Sequence, residues 1–144
     1  MANPELPGLR VAMFEDDESI TKLVGLDLLH TPHEIVDTAT TLDEAIAVLT
    51  KARPEQLELD VVLLDGNLST PRRGHDALAI WDRLVRINQT RHRLGELAIV
   101  TVGISADPLQ EYGIPLPSVQ DITKDGLPRL EEVLDTIAEE RRAS

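Results

Sequence analysis

One stretch constrains the fold more than any other. Val61-Val62-Leu63-Leu64 runs without a polar residue and ends on Asp65-Gly66. Successive strand side chains point to opposite faces, so an unbroken apolar run predicts a strand, Leu59 to Leu64, buried on both sides. Such a strand sits inside a parallel sheet covered by helices.

The rest of the chain supplies the layers. Val11 to Phe14 is a short apolar strand running into acid. Ser19 to Leu29 carries Ile20, Leu23, Val24 and Leu28 at helical spacing, and Thr31-Pro32 closes that helix. Glu34 to Ala39 reads as a second strand. Thr41-Leu42-Asp43-Glu44 is a capping-box pattern that starts a helix to about Leu49. A third helix covers about His75 to Asn88, with Ala77, Leu78, Trp81, Leu84 and Val85 on one face. Leu97 to Ile104 is a fourth strand, Asp107-Pro108 opens a loop or short helix, and Val119 to Thr123 is a fifth strand. Leu127, Leu130, Val133, Leu134 and Ile137 mark an amphipathic last helix. Strands alternating with helices predict an α/β fold, an open parallel sheet with helices on both faces. Thr70 to Gly74 and Gly113 to Pro117 read as loops.

Length and composition narrow the function. The 144 residues suit one domain with its core at about 10–140, and no output domain is expected. With no cysteine, thiolate metal sites, disulfides and cysteine nucleophiles are excluded. The net charge of −12 repels phosphate backbones, so nucleic acid is not an expected partner. No apolar run spans a membrane and Met1 to Arg10 lacks signal-peptide character, so a soluble, cytoplasmic protein is expected. With only Phe14, Trp81 and Tyr112 as aromatics, the core must be aliphatic. His30, His33, His75 and His92 are scattered without ligand spacing, which argues against zinc.

In open α/β sheets ligands bind beyond the carboxyl ends of the strands. There the sequence places Glu15-Asp16-Asp17, Asp65-Gly66-Asn67, Ser105-Ala106 and Thr123-Lys124. Each alone has an ordinary reading: a helix-capping loop, a turn aspartate, a strand-end serine, a surface lysine. Their convergence on one edge carries the functional reading. Crowded carboxylates call for a cation, and oxygen ligands suit a hard divalent ion, magnesium or manganese. A carboxylate beside such an ion can become an aspartyl-phosphate. The metal, the Lys124 ammonium and the Ser105 hydroxyl would neutralise and hold the phosphoryl oxygens. Thr101 competes with Ser105 for that role, but it lies inside its strand.

On these residues the chain resembles the response-regulator receiver domain over about Arg10 to Glu140. The resemblance implies a flavodoxin-like five-stranded sheet of order 2-1-3-4-5. It implies Asp65 as phosphoacceptor, with Glu15, Asp16, Asp65 and the Asn67 backbone carbonyl binding magnesium. It further implies Ser105, Ala106 and Lys124 at the phosphoryl group. Asn67 and Asp107 flank the site and are candidates for placing a hydrolytic water. The resemblance implies a signalling phosphoacceptor in a two-component system or phosphorelay rather than a classical enzyme, assisting only its own phosphorylation and dephosphorylation. Expected partners are a histidine kinase or phosphohistidine domain and a downstream protein, with the chain a monomer or weak homodimer.

The chain also departs from the family. Asp125 stands where a proline often follows the lysine, and Asp121 stands where many receivers carry an aromatic that reorients with the Ser/Thr. The stretch from Asp65 to Ser105 is long, with Arg91-His92-Arg93-Leu94-Gly95 as the extra part. The stretch from Ser105 to Lys124 is short and proline-rich, so the fourth helix is expected to be reduced. An alternative is a receiver-like module that binds a partner without phosphorylation. A haloacid-dehalogenase phosphatase fails because its nucleophile position is Leu63. Flavin binding fails because the loop after the first strand is acidic.

Overall fold

The computed structural model describes residues 7–68 and 75–143. The loop expected at 70–74 lies outside them. Strands β1 (Arg10–Phe14), β2 (Glu34–Ala39), β3 (Val61–Leu64) and β4 (Val100–Gly103) form one parallel sheet of order β2-β1-β3-β4. Helices α1 (Glu18–Leu28), α2 (Leu42–Thr50), α3 (His75–Arg93) and α4 (Leu130–Arg142) cover it.

Strand alternation sorts the core into two layers. Ala12, Phe14, Val62 and Leu64 pack with Ala45 and Leu49 of α2 and Ala77, Ile80 and Leu84 of α3. Val11, Met13, Val61 and Leu63 pack with Val24 and Leu28 of α1 and Leu130, Leu134 and Ile137 of α4. All four β3 residues are fully buried, as the uninterrupted apolar run requires. Each such side chain removed from water is worth about 1.5–3 kcal/mol before conformational entropy is counted.

Local chemistry sets the helix starts. The Asp17 carboxylate accepts from the Ser19 amide at 2.9 Å and caps α1. Thr41 Oγ1 accepts from the Glu44 amide at 3.1 Å and caps α2. The Glu44 carboxylate closes the box one residue early, on the Thr40 amide at 2.8 Å.

Two expectations change in the second half of the chain. First, α3 runs to Arg93 and absorbs most of the supposed insertion. Arg91 is buried, its guanidinium donating to the carbonyls of Leu97 at 2.7 Å and Pro54 at 2.8 Å. Asn88 exchanges hydrogen bonds with the Ile99 backbone at 2.8 and 3.0 Å, occupying the groups a strand partner would use. That is why β4 begins at Val100.

Second, the expected fifth strand, Val119 to Thr123, does not form. It is reduced to one parallel bridge between Gly103 and Asp121. The amides of Gln120 and Asp121 turn back onto the Pro117 carbonyl at 2.9 and 3.1 Å. Pro115 and Pro117 have no N–H to give a ladder, and Thr123 takes φ 61°, which breaks the extended run. The sheet therefore has four strands with a single bridge in fifth place. The segment before it holds only a 3-10 turn, Leu109–Tyr112, as its proline content predicts.

Candidate functional site

The sheet backbone brings the candidate residues to one level. Glu15 N–H donates to Ala39 O, Asp65 N–H to Phe14 O, Ile104 N–H to Leu64 O and Lys124 N–H to Ser105 O, each at 3.0 Å. Each strand end is thus stapled to its neighbour just where the polar residues begin.

Glu15 and Asp65 are buried, while Asp16 is exposed at the mouth. One carboxylate oxygen from each of the three lies within 4.8 Å of the others. Glu15 Oε1 accepts from the Asp17 amide at 3.2 Å and faces Lys124 Nζ at 3.5 Å. Glu15 Oε2 is buried with no hydrogen-bond partner among the described residues. An uncompensated buried carboxylate oxygen is costly, and a cation is its natural partner. The all-oxygen donor set and the open side at Asp16 fit a hard divalent ion that keeps some of its water.

The electrostatics follow from this crowding. Burial, reinforced by the neighbouring Asp65 charge, pushes Glu15 up to about 7, against the pull of Lys124. Burial also raises Asp65, although Lys124 and the Gly66 amide, at 2.8 Å from Asp65 Oδ1, favour its charged form. Burial works against the Lys124 charge, but Asp65 and Glu15 outweigh it and hold the lysine above its usual value.

Ser105 is buried beside the loop that follows β3. A Cβ built on Gly66 would stand 2.6 Å from Ser105 Oγ and 2.8 Å from Tyr112 Cε2, so only glycine fits there. Thr101 is buried inside β4, on the strand rather than at its end. Ala106 is exposed, and Asn67 and Asp107 are half-buried on the flanks.

Sequence reasoning missed the structural roles of two residues. Tyr112 packs on Gly66, and its hydroxyl donates to Asp107 Oδ2 at 3.3 Å. Asp121 is an anchor: its carboxylate accepts from the amides of Leu109 at 2.9 Å and Gln110 at 3.0 Å, holding the 3-10 turn that carries Tyr112. Both contacts join residues from separate segments, and no local pattern signals them. His33 lies away from the site. Its buried ring takes the Leu9 amide on Nδ1 at 3.2 Å and meets Asp135 through Nε2 at 2.8 Å, a structural tie.

No protein-family model matches the chain, and no curated protein matches it significantly. Solved structures do. The response regulator PhyR from Brucella abortus aligns with TM-score 0.65 and 23% identity, over 94% of this chain and 50% of that one. The chain has the receiver fold. The phosphorylated cyanobacterial phytochrome response regulator RcpA aligns with TM-score 0.55 and 22% identity over 92% of both chains. At such identities the likeness is one of receiver fold, and this chain spans half the length of the PhyR chain. Among the described residues no helix is long and apolar enough to cross a membrane.

Proposed function

We propose that the chain is a phosphoacceptor receiver module that takes a phosphoryl group onto Asp65 from a phosphohistidine donor, in a two-component or phosphorelay pathway of the cytoplasm. The observation that carries this reading is the burial of Asp65 at the end of β3, with the carboxylates of Glu15 and Asp16 and the ammonium of Lys124 gathered around it. Its Oδ1 accepts from the Gly66 amide at 2.8 Å, which fixes the orientation of the carboxylate. In the transfer a bond forms between an Asp65 carboxylate oxygen and phosphorus, the donor N–P bond breaks, and the imidazole leaves with the electron pair.

Glu15, Asp16, Asp65 and the Asn67 carbonyl would hold magnesium or manganese, which would neutralise charge on the phosphoryl oxygens. Lys124 would pair with one such oxygen, and Ser105 would donate a hydrogen bond to another. These groups stand on stapled strand ends, so little reorganisation is needed, as phosphoryl transfer favours.

The test is intact mass after incubation with acetyl phosphate and magnesium. A single phosphoryl increment is expected, absent in Asp65→Asn and without metal. An unmodified mass in a folded protein would reject the reading. It would favour phosphorylation-independent partner binding, for which the use of Asp121 as a fixed anchor speaks.

A further inference from the structure

We propose that the cleft at the amino ends of β1 and β3 binds a dianionic phosphate group, free or carried on a small molecule. The proposal stands whether or not Asp65 accepts a phosphoryl group.

The cleft has a volume of about 320 Å³ and borders Asp60, which precedes β3, whereas Asp65 follows that strand. Arg10 lines it from β1, Arg91 from the last turn of α3, and Arg141 and Arg142 from the last turn of α4. Asp60 and Glu96 are the acids in its lining. A chain of net charge −12 thus gathers four of its 14 basic residues at one opening.

Part of this charge is structural. Asp60 takes the Arg10 guanidinium at 3.1 and 3.2 Å and Arg141 Nη2 at 2.9 Å. Arg91 donates to the carbonyls of Leu97, Pro54 and Leu57. Burial works against the Arg91 charge, and Arg141 and Arg10 oppose it further. Glu96 and Asp60 favour it, and the balance leaves it below its usual value. Four guanidiniums against two carboxylates leave an excess of two positive charges. The carboxyl ends of α3 and α4 offset roughly half a charge each. Glu58 acts on Arg10 from outside the cleft and is the weakest influence on it. A net positive field remains, and it calls for an anion.

The donors left over define the ligand. Arg10 Nη1, Arg91 Nη2 and the Arg142 guanidinium meet no acceptor among the described residues. They belong to three separate elements around one cleft. A planar carboxylate is satisfied by one guanidinium fork, and Asp60 already fills that place. A phosphate turns oxygens to several sides at once and suits donors brought by several elements. Pro7 and Leu97 add apolar wall, and the volume stands at the lower end for small-molecule sites, so a small body fits behind the phosphate.

The experiment titrates the full chain, labelled with nitrogen-15, with inorganic phosphate and with glycerol 3-phosphate at constant ionic strength. Succinate is the comparator dianion. Chelator is present throughout, so no metal draws phosphate to the carboxylates around Asp65. Saturable shifts are expected in the Nε–H resonances of Arg10, Arg91, Arg141 and Arg142, with succinate weaker by roughly tenfold. Either phosphate may be the tighter: a tighter ester assigns the site to a phosphorylated small molecule, and equal binding assigns it to free phosphate. Arg142 is exposed and its side chain holds no other described residue, so its variants keep the fold. Arg142→Ala should weaken phosphate roughly 3- to 10-fold, and Arg142→Glu more. Absent shifts, shifts spread evenly over all arginines, succinate equal to phosphate, or unchanged affinity in Arg142→Glu would each overturn the proposal.

Discussion

Glu15 makes the stability of the metal-stripped protein depend on pH in a direction unusual for a carboxylate. Its value is about 7 in the fold against 4.5 for the ordinary side chain. A raised folded value means that the folded state holds the extra proton. The stabilisation is complete below about pH 4.5 and is lost as pH climbs through 7. The difference, 7 − 4.5 = 2.5, amounts to roughly 3–4 kcal/mol at 1.4 kcal/mol per pH unit. Between pH 5 and pH 8 the chelated wild type should therefore lose about 2–3 kcal/mol from this carboxyl. Asp65 is raised as well and adds in the same sense. Glu15→Gln is permanently neutral and lacks this loss. Urea unfolding at several pH values in chelator should find the two proteins alike near pH 5. At pH 8 the variant should have the higher midpoint, by roughly 1 M for a slope of roughly 2 kcal/mol/M. Taking the difference between the proteins cancels the histidines, which titrate in both. Adding magnesium at pH 8 should restore wild type and not the variant, since a ligand of the folded state stabilises by mass action. A wild-type-to-variant difference that stays constant from pH 5 to pH 8 would refute the reasoning.

Two further predictions test one support of the site and one of the fold. Gly66→Ala places a methyl 2.6 Å from Ser105 Oγ and 2.8 Å from the Tyr112 ring, so thermal unfolding should show a loss of about 1–3 kcal/mol and acetyl phosphate should label it poorly. Asp60 lies at the opposite end of the sheet, buried under Arg10 and Arg141, with Arg10 N–H at 2.7 Å and Arg141 Nη2 at 2.9 Å. Burial opposes its charge, but the Arg10 bonds prevail and lower its pKa, so its stabilisation is present at neutral pH and lost as pH falls below its folded value. Asp60→Asn should cost about 2–4 kcal/mol at pH 7 and flatten the acid limb of the unfolding curve.

The parts of this molecule visible in its sequence are those set by short-range physics. The Val61 to Leu64 run could only be a doubly buried strand, and the alternation in Val11 to Phe14 divides cleanly between the two core layers. The Thr41 capping box marked the start of α2, and apolar spacing from Ile20 marked α1. Because acids, serine and lysine stood at strand ends, their convergence followed from the topology. What the sequence hid is long-range. Residues 119–123 have strand-like composition, yet the Pro117 carbonyl recruits two of their amides and Asp121 is drawn to the 3-10 turn. Arg91 looked like part of a solvated insertion, because nothing local shows that three carbonyls await its guanidinium. Tyr112 carried no signal, since the glycine it rests on lies 46 residues away (112 − 66 = 46).

The shortened fifth position also bears on how the molecule avoids its own kind. A parallel sheet normally ends in a strand whose free amides and carbonyls invite another chain to continue the ladder. Here β4 is only four residues long, and the amide of its last residue, Gly103, is already bound to the Gln120 carbonyl at 2.8 Å. Upstream, the Ile99 amide and carbonyl are claimed by Asn88. An incoming strand would find anchorage for barely one repeat of hydrogen bonds before meeting a proline-punctuated turn. Irregular backbone in this place thus serves as a terminator, guarding the β4 edge against templated growth into fibrils.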